Sequence, residues 1–164
     1  RPLAMLGMIL VIIQIALGGW LSSNYAALAC PDFPTCQNQL LPDMDMASGF
    51  NFFQGIGPNY LGGQLDGDAR VAIHFVHRIG AVVVTVYLLF LIMQLYRNSA
   101  QTPLKSLTHV ILFLLIVQLG LGISNVVFSL PLWVAVAHNA GGALLLLSLV
   151  TLNYRLFKTT SAMF

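Results

Sequence analysis

Four long apolar stretches alternate with polar segments along the chain. They cover residues 3–22, 71–96, 107–128 and 132–154. A helix of ~20 residues crosses a hydrocarbon core of ~30 Å, so each stretch is long enough to span a membrane. Lipid offers the backbone no hydrogen-bond partner, which makes helices the expected structure. The pattern predicts an all-α polytopic membrane protein with one domain, a four-transmembrane-helix bundle over residues 1–164.

Composition indicates a membrane environment and argues against a nucleic-acid partner. Charged residues make up 7% of the chain, whereas soluble domains average ~25%. Membrane lipid is therefore the expected surroundings of the helices. The net charge of +2 is small and scattered, so no nucleic-acid partner is expected.

The charges also predict an orientation. Basic residues flank one set of helix ends, at positions 1, 97, 105, 155 and 158. All five aspartates lie in the long connection between the first two spanning helices, at positions 32, 43, 45, 66 and 68. By the positive-inside rule, both termini are cytoplasmic and this connection is one long extracytoplasmic loop.

The loop over residues 23–70 is long for a helix bundle, and loops of such length are usually functional. Phe50, Phe52 and Phe53 could form a partial lid at the membrane interface. The alternative is a loop that simply covers the bundle. No internal repeat stands out in the sequence.

Two histidines occupy matching depths in the second and fourth spanning helices. His77 and His138 each lie about seven residues from the outer end of their helix, or ~10 Å at 1.5 Å per residue. An ionisable residue inside a membrane helix indicates a functional site. Two imidazoles facing each other at one depth suit the axial ligands of a heme iron. Zinc would need three or four ligands, and copper usually recruits cysteine or methionine as well.

The other two histidines are less clear candidates. His109 should lie near the cytoplasmic surface, far from the pair, and is interpreted as an interfacial residue. His74 precedes His77 by three residues, on nearly the same helix face. His74 could be a ligand itself, bond a heme propionate, shuttle protons or contact substrate, or it could simply meet water at the interface.

Further polar residues lie close to the histidine pair. Arg78 lies below the outer surface and could pair with a heme propionate, or it could extend to the lipid headgroups. Hydrogen bonding between helices is the expected role of three others. These are Gln118, Asn125 and Asn139.

Cys30 and Cys36 are the two cysteines of the chain, and both lie in the long loop. The outer side of the membrane is oxidising in a periplasm or an intermembrane space, which favours a disulfide. The pair could be a structural staple or a redox-active pair that passes electrons or contacts a partner thiol.

Four sequence segments together resemble the heme A synthase family. They are L-G-G-W-L-S-S-N-Y-A-A-L-A-C-P-D-F-P-T-C at 17–36, I-H-F-V-H-R at 73–78, Q-L-G-L-G-I-S-N-V at 118–126 and A-V-A-H-N-A-G-G-A-L-L-L at 135–146. The resemblance covers nearly the whole chain, in order. Members have two four-helix halves, and this chain resembles the C-terminal half.

This resemblance implies an oxidoreductase function for the full-length protein. The enzyme oxidises the C8 methyl of heme O to the formyl group of heme A, for cytochrome c oxidase. The second half would hold a heme b that relays electrons, and the first half would bind heme O. This half alone is expected to be inactive. The implied partners are the N-terminal half of the same protein and heme O, with heme O synthase or further copies of the chain as additional candidates.

The resemblance also implies roles for individual residues. His77 and His138 would be the axial iron ligands, with His74 and Arg78 close to the cofactor, and Cys30 and Cys36 would form a disulfide. Where the first half carries a glutamate one turn before its ligand, this chain has His74. That difference suits a cofactor-holding half, and no catalytic residue is assigned.

Two other functions fit parts of the pattern. A small b-type membrane cytochrome would act only in electron transfer, although such proteins often hold two hemes and the inner level offers only His109. A transporter or assembly-factor bundle would hold no cofactor. The expected location is a bacterial inner membrane, or a mitochondrial inner membrane in a eukaryote. Because the chain opens on Arg1-Pro2, it is expected to be part of a longer protein.

Overall fold

Helices make up most of the chain in a computed structural model that describes residues 1–53, 64–98 and 102–161. Four helices are long and one is a single turn. They are α1 (Pro2–Ser23), α2 (Met46–Gly49), α3 (Gly67–Asn98), α4 (Thr102–Val127) and α5 (Leu132–Ser161). The described residues contain no strand beyond one isolated bridge between Cys36 and Gln39. The prediction of an all-α fold is therefore confirmed.

The four long helices are long and apolar enough to cross a membrane. Between 17% and 33% of each spanning segment is buried inside the bundle, so most of each helix faces outward. Exposed Leu, Ile, Val and Phe side chains on these outer faces are the surface that lipid tails accommodate. The chain is an integral membrane protein, as the apolar pattern predicts.

The helices extend beyond the apolar stretches that predict them. α3 begins at Gly67 rather than 71, α4 at Thr102 rather than 107, and α5 continues to Ser161 rather than 154. These added turns carry charged residues, which an apolar window leaves out although the backbone stays helical. Asp66 caps the early start of α3, because its carboxylate accepts a hydrogen bond from the Ala69 N–H at 2.9 Å.

The long helices pack in a square. Each contacts two neighbours, in the order α1, α3, α4, α5 and back to α1. Among the described residues, no Cα atom of α1 lies within 8 Å of one in α4, and the same holds for α3 and α5. These two pairs therefore face each other across the diagonals, and residues on them can approach only through the bundle interior.

Large aliphatic side chains fill the end of the bundle that holds the termini. The buried cluster there comprises Ala4, Val11, Val84, Leu88, Leu91, Ile92, Ile111, Leu115, Leu145, Leu149 and Leu152. Polar contacts join helices at this end: Asn153 Nδ2 donates to the Ala4 carbonyl at 3.0 Å, and the Tyr87 hydroxyl donates to the Leu3 carbonyl at 2.8 Å. This end of the bundle is closed by packing.

The connection between α1 and α3 covers the opposite end. Asp45 caps the start of its helix α2, because the Asp45 side chain accepts a hydrogen bond from the Ser48 N–H at 3.0 Å. The Trp20 indole of α1 donates to the Gly49 carbonyl at 2.9 Å. A Cβ at Gly49 would lie 2.7 Å from the Ala69 carbonyl oxygen, so the absence of a side chain lets α2 approach α3 closely.

The three phenylalanines of this loop occupy different environments. Phe50 packs against the buried cluster of Leu21, Ala26 and Ile73. The Phe52 ring lies 4.9 Å from the Trp20 ring, and Phe53 is 97% exposed. Phe50 and Phe52 therefore fasten the loop to α1, whereas Phe53 extends away from the bundle.

Replacing Gly49 should detach α2 from α3. In Gly49→Val the new side chain overlaps the Ala69 carbonyl, which we expect to destabilise this contact by about 1–3 kcal/mol. Hydrogen exchange of the amides in residues 46–50 measures the change, with Ala47→Val as the control because Ala47 is exposed on the same helix. Equal exchange rates in the two variants would contradict this account of the loop.

Candidate functional site

His77 and His138 lie on diagonally opposed helices, α3 and α5, and both are half-buried. They are within electrostatic range of each other across the interior of the bundle. Because α3 and α5 do not pack directly, a group placed between these imidazoles would lie near the bundle axis. The structure thus brings together the two histidines that the sequence singles out.

Each histidine ring rests against a glycine of the neighbouring helix. A Cβ at Gly18 of α1 would lie 3.2 Å from His77 Cε1, and a Cβ at Gly122 of α4 would lie 3.2 Å from His138 Cε1. Contacts that short are tighter than nine in ten Cβ contacts in proteins. The two glycines therefore provide the space in which the imidazoles sit.

A glutamine lies one turn before each of these glycines. Gln14 donates from its carboxamide nitrogen to the His77 main-chain carbonyl at 2.9 Å. Gln14 also packs against Gly80 of α3, and Gln118 packs in the same way against α5, where a Cβ at Gly141 would lie 2.6 Å from its Oε1. Both glutamines thus reach from one helix to the helix that carries a histidine.

These contacts reveal an internal repeat that we did not anticipate from the sequence. The motif Q-x2-L-G occurs at 14–18 and again at 118–122, and the motif H-x2-G occurs at 77–80 and again at 138–141. The helix pairs α1–α3 and α4–α5 each place one copy of both motifs in contact. Both motifs are visible in the sequence. In the first copy, however, the long loop separates the glutamine motif from the histidine motif, which hides the repeat.

Buried polar atoms without hydrogen-bond partners cluster near the histidines. In the part of the chain that the structure describes, these atoms include Gln14 Oε1, Gln118 Oε1, Asn125 Oδ1 and His138 Nδ1. An unsatisfied buried polar group costs about 1–3 kcal/mol. Such groups in a native structure call for an explanation, and a bound ligand is one. Glycine and polar side chains here contrast with the aliphatic packing at the other end.

Arg78 and His74 attach the loop to α3 on either side of His77. The Arg78 guanidinium donates to the Thr35 carbonyl at 2.7 Å and to the Cys30 carbonyl at 2.8 Å. His74 Nδ1 lies 3.0 Å from the Ala26 carbonyl. The Cys30 N–H lies 3.4 Å from the same Nδ1, so His74 contacts the loop at two main-chain positions.

The guanidinium of Arg78 is therefore turned toward the loop and not toward lipid headgroups. Its Nε is buried and has no partner within the described residues. His74 is 4% exposed, so it does not simply meet water at an interface. A contact of either residue with a heme stays a prediction.

His109 lies at the opposite end of the bundle. Its Nδ1 donates to the Lys105 carbonyl at 2.8 Å within the first turns of α4, and its ring meets Tyr96 edge-on at 5.3 Å. Asn139, which follows His138, is exposed. Among the described residues, no three His, Cys, Asp or Glu side chains converge on one point.

Cys30 and Cys36 form a disulfide within the loop, and both side chains are buried. Asp32 organises the ring that this bond closes: its carboxylate accepts from the Gln37 N–H at 2.6 Å, from the Asn38 N–H at 2.9 Å and from the Thr35 hydroxyl. The Thr35 hydroxyl, followed by the two backbone N–H groups, lowers the pKa of Asp32 below 3.8. The same ring provides the carbonyls of Thr35 and Cys30 that Arg78 binds.

Comparison with known proteins gives a consistent family. The model of the COX15-CtaA family, described as cytochrome oxidase assembly protein, matches residues 1–150. Heme A synthase of Shewanella oneidensis is 49% identical over 98% of this chain and 48% of the relative. Heme A synthase of Methylobacterium radiotolerans is 33% identical over 96% of this chain and 40% of the relative. The chain spans about half the length of the curated relatives it matches. No solved structure matches it significantly.

Acid should loosen the disulfide ring through Asp32. A carboxylate whose pKa is lower in the folded state stabilises the fold above its unfolded pKa, and this contribution is lost as the pH falls through the folded value. We expect the Gln37 and Asn38 amides to exchange faster as the pH drops below about 4, after correction for intrinsic exchange rates.

Asp32→Asn should show the faster exchange already at neutral pH, and Asp43→Asn, in an exposed part of the same loop, is the control. Amides in Asp32→Asn that stay as protected as in the control would refute this role of Asp32.

Proposed function

Because the chain belongs to the COX15-CtaA family of cytochrome oxidase assembly proteins, we propose that it is the heme b-binding half of a heme A synthase. The full-length enzyme would oxidise the C8 methyl of heme O to the formyl group of heme A. The share of the relatives that the chain covers, about half, supports a role as one half of a two-half protein.

The observation that carries this proposal is the pair of glycine-backed imidazoles on diagonal helices. A flat cofactor with two axial nitrogen ligands needs donors on both of its faces and little side-chain volume between them. His77 and His138 provide the donors, and Gly18 and Gly122 provide room for their rings. The residues present therefore fit a heme better than a zinc site, which needs more ligands.

The histidines, Arg78 and the loop would each contribute to this function. His77 and His138 would hold the iron of a heme, and the chemistry that this group would supply is electron transfer. His74 and Arg78 hold the loop over the site, and the unpartnered Arg78 Nε is available to a heme propionate. The loop limits the access of water from its side. We assign no catalytic residue, since the substrate heme O would bind to the other half.

The charges and the disulfide support one orientation of the chain in the membrane. We propose that both termini are cytoplasmic and that the disulfide loop lies in the periplasm of a bacterial inner membrane. The basic residues at the helix ends opposite the loop support this orientation, and an oxidising compartment would preserve the disulfide. The exposed apolar helix faces would contact lipid and the N-terminal half of the protein.

The visible spectrum of the protein purified in detergent tests the cofactor. We expect the sharp reduced bands of a six-coordinate b-type heme, present at one heme per chain. His77→Ala and His138→Ala should each abolish these bands, because a six-coordinate iron needs both axial ligands. His109→Ala is the control, since His109 lies at the other end of the bundle. A wild-type protein without a Soret band after expression with ample heme would refute the proposal.

Conversion of heme O distinguishes the enzyme from a simple electron-transfer cytochrome. When this chain is joined to the complementary N-terminal half, we expect heme A to form from heme O. His77→Ala in the joined protein should stop the reaction, because electrons would no longer be relayed. If heme b binds but no heme A forms, the alternative of a small b-type cytochrome would be favoured.

The glycines behind the histidines provide a second test of the heme site. Gly18→Val and Gly122→Val should each lower heme occupancy strongly, because a side chain would push the imidazole out of position. Gly19→Val and Gly120→Val are matched controls, since a Cβ at either position meets nothing within 4 Å. Equal heme content in all four variants, measured by the pyridine hemochrome assay, would show that the glycines do not seat the ligands.

A further inference from the structure

We infer that Gln14 is a positioning residue that holds the plane of the His77 ring, an inference that rests on the proposed heme site. Gln14 lies on α1 and His77 on α3. The glutamine would not touch the iron. It would act through the orientation of the imidazole that binds it.

The position of the Gln14 carboxamide is the first observation. Its nitrogen lies 3.2 Å from His77 Nδ1 and 3.5 Å from His77 Nε2. The two ring nitrogens of an imidazole are about 2 Å apart, on either side of Cε1. An atom nearly equidistant from both at this range cannot lie in the ring plane, because it would overlap Cε1. The carboxamide therefore covers one face of the imidazole.

The carboxamide is itself fixed by a main-chain contact. Its nitrogen donates to the His77 carbonyl at 2.9 Å, which joins α1 to α3 at the level of the ligand. Gly18, one turn later on α1, meets the Cε1 edge of the same ring. The ring is thus held on a face by Gln14 and at an edge by Gly18, and rotation about its Cβ–Cγ bond is restricted from both directions.

His138 lacks the same restraint although its surroundings repeat those of His77. Gln118 is turned toward Gly141 and Gly142 of α5, as Gln14 is toward Gly80 of α3, but no hydrogen bond joins its carboxamide to the His138 ring among the described residues. Gly122 meets its ring edge, as Gly18 meets that of His77. The carboxamide over the ring is therefore what distinguishes His77 from His138.

This difference has a measurable consequence in a bis-histidine heme. The angle between the two imidazole planes determines the g values of the low-spin ferric iron, and ligand orientation also contributes to heme affinity. Gln14 should therefore influence a spectroscopic property that depends on ring orientation, beyond any effect on folding.

The test compares Gln14→Met with the wild-type protein, both purified in detergent and loaded with heme. Methionine keeps a side chain of similar size but cannot donate to the His77 carbonyl. We expect the largest g value in the electron paramagnetic resonance spectrum to shift or broaden, and heme affinity to fall about tenfold. Gln14→Asn, which keeps a carboxamide but is one methylene shorter, should show the same changes and serves if the methionine variant does not fold.

Asn153→Leu is the matched control. It removes a carboxamide that also joins two helices, through the Ala4 carbonyl, but at the end of the bundle away from the histidines. We expect this variant to keep the wild-type g values. Unchanged g values and affinity in both Gln14 variants would overturn the inference, as would equal changes in Asn153→Leu. A wild-type protein that binds no heme would instead refute the proposed function.

Discussion

The contact between each histidine ring and a glycine of the adjacent helix is the constraint on which the site depends. A Cβ at Gly18 or Gly122 would lie 3.2 Å from the imidazole Cε1 atom and would press on the ring. Helices in a membrane associate through close packing and not through exclusion of water, and small residues make that packing possible. Here the same small residues both bring the helices together and leave room for the histidine rings.

One end of the bundle is packed with aliphatic side chains, and the other end holds the candidate site. Aliphatic side chains fill the end that holds the termini, and this packing fixes how the four helices stand relative to one another. The other end contains glycines, glutamines and histidines, and the disulfide loop covers it. His74 and Arg78 hold that loop from α3, so the loop and His77 are supported by the same helix.

Apolar length alone predicted the number of spanning helices, because lipid leaves the backbone few alternatives. Helix depth alone paired His77 with His138 and separated His109 from them. The helix ends were missed, because charged turns such as those around Arg70 and Lys158 remain helical outside the apolar core. The use of Arg78 and His74 as loop anchors was missed too, since it depends on how a long loop folds back onto α3. The repeated glutamine and glycine motifs are present in the sequence, but only the structure shows that they contact the histidines of the neighbouring helices.

The central claim is that one iron lies between His77 and His138. A structure of the heme-loaded protein, with anomalous diffraction recorded at the iron absorption edge, tests it most directly. The account predicts a single iron peak per chain, between the two imidazoles and bonded to one nitrogen of each. An iron peak bonded to His74 or His109 in place of either ligand would contradict it.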